Sequence, residues 1–257
     1  MKVIDTWPGW QSVKLLGEGS FGKVYEIYRE EFGFPQRAAL KVLTVPTSPS
    51  EIESAYQDGM DEKSVTEYFY SFVEELVSEF ALMYQLKSNN TNIVSYEDHM
   101  VVQHDDGIGW DILIRMELLT PLTKYVAEHP LTERDVIRLG MDICSALAIC
   151  REKGVIHRDI KPENIFHSET GFYKLGDFGV ARIAEKTISN FSQKGTYNYM
   201  APEVYRREPY GFAVDIYSLG IVLYRFLNKG RLPFLPPFPD RITFSDREQS
   251  LERRMMG

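Results

Sequence analysis

The sequence predicts an α+β protein of two lobes, a small antiparallel sheet with one long helix followed by a mainly helical half. Two observations carry this. Short extended runs flank glycines and turns as far as residue 118, and helical spacing takes over after Leu119. A chain of 257 residues is long enough for one large domain or two modest lobes around a shared core. Strands followed by helices place a cleft between the halves. The expected organisation is one domain over 1–257, with a first lobe at 1–118 and a second at 119–257.

The elements follow in order. Val13 to Leu16, Val24 to Arg29 and Arg37 to Val45 read as strands. Pro46 to Asp61 holds prolines, serines and acidic residues, and reads as a surface loop inserted before the long helix. From Val65 to Lys87 the apolar residues Phe69, Phe72, Val73, Leu76, Val77, Phe80, Met83 and Tyr84 fall at helical spacing. Ile93 to Val102 and Trp110 to Glu117 read as two more strands. A helix starts at Thr132, which caps it, with Asp135 three residues on and Leu131 stapled against Val136. Its apolar stripe is Val136, Leu139, Ile143, Ala146, Leu147 and Cys150. Phe212 to Leu227 is another apolar helix. The tail after Pro233 is proline-rich, then charged, and carries no assigned element.

Apolar residues make up 44% and charged residues 26%, which is ordinary folded composition rather than disorder. The net charge of −8 lacks the electrostatic footprint of a nucleic-acid binder. The two cysteines, Cys144 and Cys150, lie six residues apart on one helix and point to different faces, so no disulfide framework exists. A reducing, cytoplasmic compartment is the natural reading. The start shows no apolar signal core, and no run approaches the ~18 apolar residues of a membrane span. That leaves open an anchor beyond residue 257.

Five constellations carry chemistry. Gly17, Gly19 and Gly22 lie in Leu16-Gly17-Glu18-Gly19-Ser20-Phe21-Gly22, where backbone N–H groups can approach phosphates. The residues after Gly22 alternate like a strand, so the loop joins a hairpin and does not open a dinucleotide-fold helix. Alone, it also reads as a plain glycine turn. Lys41 ends the apolar run Ala38-Ala39-Leu40 and can bind phosphates if a carboxylate holds it. An isolated lysine there would more often reach solvent. His157-Arg158-Asp159-Ile160-Lys161-Pro162-Glu163-Asn164 follows the long helix. Asp159 is offered as base or orienting group, Lys161 as a charge neutraliser, and Asn164 as a hard oxygen ligand for Mg²⁺. His157 reads as a buried structural residue. Asp177-Phe178-Gly179 offers Asp177 as a second Mg²⁺ ligand. Gly195-Thr196-Tyr197-Asn198-Tyr199-Met200-Ala201-Pro202-Glu203 is, by itself, only a turn-rich stretch.

In this order and spacing the five resemble the protein kinase superfamily over nearly the whole chain, and Asp159-x-Lys161-Pro162-Glu163-Asn164 resembles its serine/threonine branch. The wording from Leu175 to Arg182 is also similar to bacterial kinases of eukaryotic type. The resemblance implies ATP and Mg as cofactors and protein Ser/Thr hydroxyls as substrates, including the chain's own. It implies that Gly17, Gly19 and Gly22 close over ATP and that Lys41 pairs with Glu79, with Glu75 in reserve. Met116 matches the gatekeeper, and Glu117 to Leu119 the hinge that meets adenine. Leu16, Val24, Ala39 and Phe166 sandwich the ring, a role that plain core packing would equally explain. Thr196 contacts Asp159 and Lys161. Asp215 braces the catalytic loop. Arg158 receives a phosphate from the activation segment, with Thr187, Ser189 and Ser192 as candidates.

Two departures stand against the pattern. The family continues with further C-terminal helices carrying an arginine that pairs with the match to Glu203, and no such segment is found, so the second lobe reads as truncated. The Lys41-to-Glu79 interval is longer than the family norm. A pseudokinase-type nucleotide-binding scaffold, or an inactive truncated domain, is the alternative. Lys41, Asp159, Asn164 and Asp177 are all present, which favours the enzyme. Oligomeric state and protein substrate are not encoded in any motif.

Overall fold

The computed structural model describes residues 7, 9–19, 22–86, 91–105, 107–178 and 196–256. It divides into two compact units. Among described residues the first comprises 7–86 and 95–118, and the second 91–94, 119–178 and 196–256.

The first unit is a five-stranded antiparallel sheet with two helices. Its strands are β1 (Gln11–Gly19), β2 (Gly22–Glu31), β3 (Phe34–Val45), β4 (Tyr96–Gln103) and β5 (Trp110–Met116), in the order β1-β2-β3-β5-β4. Alternation gives the sheet two faces. One carries Ile27, Ala38, Leu40 and Leu113, covered by Trp7 and Trp10. Arg29 and Arg115 lie over the Trp10 ring at 4.9 and 5.1 Å. The other face carries Val24, Ala39, Lys41, Ile114 and Met116, joined by the register pairs Val24↔Lys41, Lys41↔Ile114 and Ala39↔Met116.

The segment expected as a loop over Pro46 to Asp61 contains a helix, α1 (Pro49–Gln57). Its proline sits in the first turn, where the missing N–H costs nothing, after an extended Ser48. Prolines and serines there mark a helix start, not a loop. The long helix α2 (Glu62–Leu86) opens with Asp61 accepting from the Ser64 N–H at 2.8 Å. Val65, Phe69, Phe72, Val73, Leu76, Phe80 and Met83 are buried, whereas Tyr84 is exposed and off the stripe.

The second unit is mainly helical. Its α-helices are α3 (Leu122–Glu128), α4 (Glu133–Glu152), α5 (Pro202–Tyr205), α6 (Ala213–Leu227) and α7 (Phe244–Met256). A small sheet runs β6 (Thr120–Pro121), β7 (Ile165–His167) and β8 (Tyr173–Leu175). The α4 capping box forms: the Asp135 N–H donates to Thr132 Oγ1 at 3.3 Å and the Thr132 N–H to Asp135 Oδ2 at 2.9 Å. The six residues of its expected stripe are all buried. Ile93 does not extend β4. It bridges Leu175 in parallel, the Val94 N–H donating to the Leu175 carbonyl at 2.9 Å.

The charged tail forms α7. Thr243 and Asp246 build a second capping box, at 2.7 and 3.2 Å. Arg254, buried on this helix, donates to the Asn198 carbonyl, and Ser250 Oγ donates to the Pro233 carbonyl at 2.7 Å.

Candidate active site

In the first unit Val24, Ala39, Lys41 and Met116, four of the expected nucleotide residues, share one sheet face. Gly17 pairs with Val24 across the β1–β2 hairpin, and Gly19 with Gly22. A Cβ at Gly17 would meet nothing within 4 Å, so its backbone is open to approach. Gly22 is different. It has φ +123°, and a Cβ there would lie 2.0 Å from the Val42 carbonyl oxygen. Close packing of β2 on β3 alone requires that glycine. Leu16 is exposed, Val24 and Met116 are half-buried, and Ala39 is buried. Lys41 is 5% exposed on β3, so it does not reach solvent as an edge lysine would. On α2, Glu75 is exposed, whereas Glu79 is half-buried with one carboxylate oxygen wholly buried. A buried lysine calls for a buried carboxylate, which favours Glu79 over Glu75. After β5, Glu117 closes on Ser95. Its N–H donates to the Ser95 carbonyl at 3.0 Å, and its Oε1 accepts from the Ser95 N–H at 2.6 Å. That N–H is therefore committed.

The second unit builds the loop from His157 to Asn164 from the inside outward. Asp215, buried at the start of α6, accepts from the His157 N–H through Oδ2 and the Arg158 N–H through Oδ1, both at 2.8 Å. These charge-assisted bonds hold Arg158 at φ +68°, a left-handed conformation that a non-glycine residue adopts at a cost of about 1–2 kcal/mol. His157 is buried. Its Nε2 lies 2.9 Å from the Gly176 carbonyl and its Nδ1 accepts from the Asp159 N–H at 3.3 Å. The two bonds together require the neutral tautomer protonated on Nε2. Its ring meets Phe178 edge-on at 4.6 Å.

Asp159 points its Oδ2 at two donors, Asn164 Nδ2 at 2.8 Å and Lys161 Nζ at 2.7 Å. Asn164 Nδ2 also donates to the Asp159 carbonyl at 2.8 Å. Among the described residues Asp159 Oδ1 accepts no hydrogen bond. Both Asn164 N–H donors are thus spent on Asp159, and the remaining polar atom of its amide, Oδ1, is an acceptor. The Gly176 N–H donates to the Asn164 carbonyl at 2.9 Å, which carries the chain into Asp177. Asp177 is half-buried at φ +56°, the second left-handed non-glycine position in the site. A Cβ on Gly176 would lie 2.9 Å from the Phe166 ring. One carboxylate and one amide oxygen fit Mg²⁺, which takes few protein ligands and completes its shell with water and phosphate oxygens.

Thr187, Ser189, Ser192, Gly179 and Gly195 lie outside the described residues. Thr196 opens a short 3₁₀ turn, Thr196–Asn198. Tyr199 follows, its hydroxyl accepting from Arg225 and its carbonyl from Ser218 Oγ at 2.7 Å. Burial raises the Tyr199 pKa, and Arg225 opposes this. Sequence reasoning missed Tyr210, over whose ring Arg158 lies at 5.5 Å, and Arg254, which clamps the Asn198 carbonyl. The Thr243–Asp246 box was the available signal for the helix that brings Arg254.

The protein kinase domain model of the family matches residues 10–254. STE20, a serine/threonine-protein kinase of Eremothecium gossypii, is 31% identical over 91% of this chain and 21% of its own length. The serine/threonine-protein kinase AtPK1/AtPK6 of Arabidopsis thaliana is 30% identical over 88% of this chain and 43% of its own. CBL-interacting protein kinase 19 of Oryza sativa subsp. japonica is 33% identical over 86% and 39%. The chain belongs to the protein kinase family. It spans less than half the length of these relatives. No helix among the described residues is long and apolar enough to cross a membrane.

Proposed function

We propose that this chain is an active serine/threonine kinase that transfers the γ-phosphate of Mg·ATP to protein hydroxyls, its own included. One observation supports this above the rest. Asp159 is held by Lys161 and Asn164 through a single oxygen, which leaves Oδ1 to accept a hydroxyl proton. Mg·ATP supplies the phosphoryl group and a divalent charge. This chain's residues supply position and counter-charge. Lys41, paired with Glu79, holds phosphate oxygens, and Gly17 and Gly19 let the backbone approach them. Leu16, Val24, Ala39 and Phe166 line the ring, with Met116 behind it. Glu117 and Leu119 meet its edge through the backbone, the Glu117 N–H excepted because Ser95 holds it. Asn164 and Asp177 hold Mg²⁺, and Lys161 steadies the transferred group. A phosphate on Thr187, Ser189 or Ser192 draws on Arg158. The free cysteines, one exposed and one buried, suit a reducing cytoplasm.

The roles separate by experiment. Asp159→Asn is expected to lose phosphotransfer by about 10²–10⁴-fold and to keep nucleotide affinity. Asp177→Asn is expected to weaken Mg·ATP binding itself, measured by calorimetry with and without the metal. Turnover equal to the parent in Asp159→Asn would refute the assignment.

A further inference from the structure

We infer that Arg254 is a positioning residue for the protein substrate, fixing from α7 the turn beside Asp159 against which an acceptor polypeptide lies. The inference rests on the phosphotransfer reading above and deepens it. Arg254 is poorly matched where it stands. It is 4% exposed, and its Nε is buried without a hydrogen-bond partner. Among the described residues it bonds to a neutral carbonyl, that of Asn198, and forms no ion pair. A buried charge without a carboxylate lowers stability, and an apolar side chain of similar size in its place is often neutral or stabilising. Folding alone therefore gives no reason for an arginine here.

What the arginine holds supplies one. Asn198 ends the short turn that opens at Thr196, and this turn is seated on α6 next to the loop bearing Asp159. Asp215 accepts from the His157 and Arg158 N–H groups, and Ser218, on the same helix, donates through Oγ to the Tyr199 carbonyl at 2.7 Å. Helix positions three apart share a face, about 5–6 Å from each other. Tyr199, whose pKa is raised first by its burial, also feels the Glu163 charge from the Asp159 loop. A polypeptide whose hydroxyl reaches Asp159 Oδ1 therefore passes over this turn, where Tyr197, Asn198 and Met200 are each only half-buried. The last turn of α7 grips the stretch at both ends. Arg254 takes the Asn198 carbonyl, and the Met255 carbonyl accepts from Arg206 at the end of α5. The helix itself is anchored by Ser250 on the Pro233 carbonyl. These bonds go to the turn and to α5, so their effect falls on the protein substrate rather than on the nucleotide.

Steady-state phosphotransfer by the full chain to a generic basic protein tests this, with ATP and protein varied separately and amide exchange followed over residues 198–206. Arg254→Met keeps the bulk and removes the donor. Arg206→Ala removes the second tie at an exposed position. Arg254→Met is expected to raise KM for the protein about tenfold, with kcat and KM for ATP within about twofold of the parent. Its exchange over 198–206 is expected to quicken and its unfolding temperature not to fall. Arg206→Ala is expected to move KM and exchange the same way, by less. An unchanged KM for the protein, unchanged exchange, or kcat and both KM values failing together in either variant overturns the inference and leaves the kinase reading standing. A lowered unfolding temperature in Arg254→Met does the same, since it would make the residue merely structural. A parent that transfers no phosphate overturns the kinase reading and this inference with it, and shows before any variant is compared.

Discussion

The two units secure their candidate residues by different means. In the sheet-bearing unit, Lys41, Ala39, Val24 and Met116 share a face because strand register puts them there. In the helical unit, Asp159 sits on a loop held by side chains bonding to backbone, two of those bonds reaching 57 and 58 residues to Asp215. A register distributes its support over many backbone bonds. A network concentrates support in a few carboxylates and amides. The first should therefore tolerate loss of a single polar group and fail when a backbone is pushed aside, and the second should do the reverse.

The largest expected effect is on the network. Asp215→Ala orphans the buried His157 N–H and the part-buried Arg158 N–H and releases the left-handed turn at Arg158. A loss of about 3 kcal/mol or more in urea unfolding is expected, with phosphotransfer falling about 100-fold in the fraction still folded. An unchanged midpoint would break the comparison. Next is the register. Gly22→Ala should cost about 2–3 kcal/mol, because its methyl meets the Val42 carbonyl at 2.0 Å. Gly17→Ala, in open space, should stay within about 0.5 kcal/mol. Equal losses in the two would remove the packing argument.

Cys150 sharpens the contrast by pH. Burial first, then the nearby Asp215 charge, pushes its thiol from 9.0 up to about 12. The folded state holds the proton that the unfolded state gives up. This contribution is complete below pH 9.0 and is lost as pH rises towards about 12. The slope is about 1.4 kcal/mol per pH unit. Stability measured between those limits should fall less steeply in Cys150→Ala. An identical slope would count against the buried thiol. The smallest effects belong to the caps. Thr243→Ala and Thr132→Ala should each cost about 1 kcal/mol. Thr243→Ala should also loosen the Arg254 clamp on Asn198, seen as faster amide exchange at Tyr199.

Most of this was legible in the sequence where local pattern and tertiary role coincide. The α4 stripe and its Thr132 cap appear as expected, since periodicity and capping are local. The family order of Gly17, Lys41, Asp159, Asn164 and Asp177 is likewise written in linear spacing. What was not legible depends on partners distant in sequence. Positive φ at Arg158 and Asp177 follows from the packed network, not from either residue. The close approach that fixes Gly22 comes from β3. Pro49 and the serines around it read as loop chemistry, although the same residues begin α1. The second capping box, at Thr243, obeys the same rule as the one at Thr132, but the helix behind it is charged rather than apolar, so no hydrophobic periodicity marks it.

Intact-mass spectrometry after incubation with Mg·ATP, comparing the parent with Asp159→Asn and with a generic basic protein present, tests the central claim most directly. Phosphate-sized mass gains on the chain or the added protein, in the parent and not in the variant, are the predicted result. No gain in the parent while it still binds nucleotide, or equal gains in both, would contradict it.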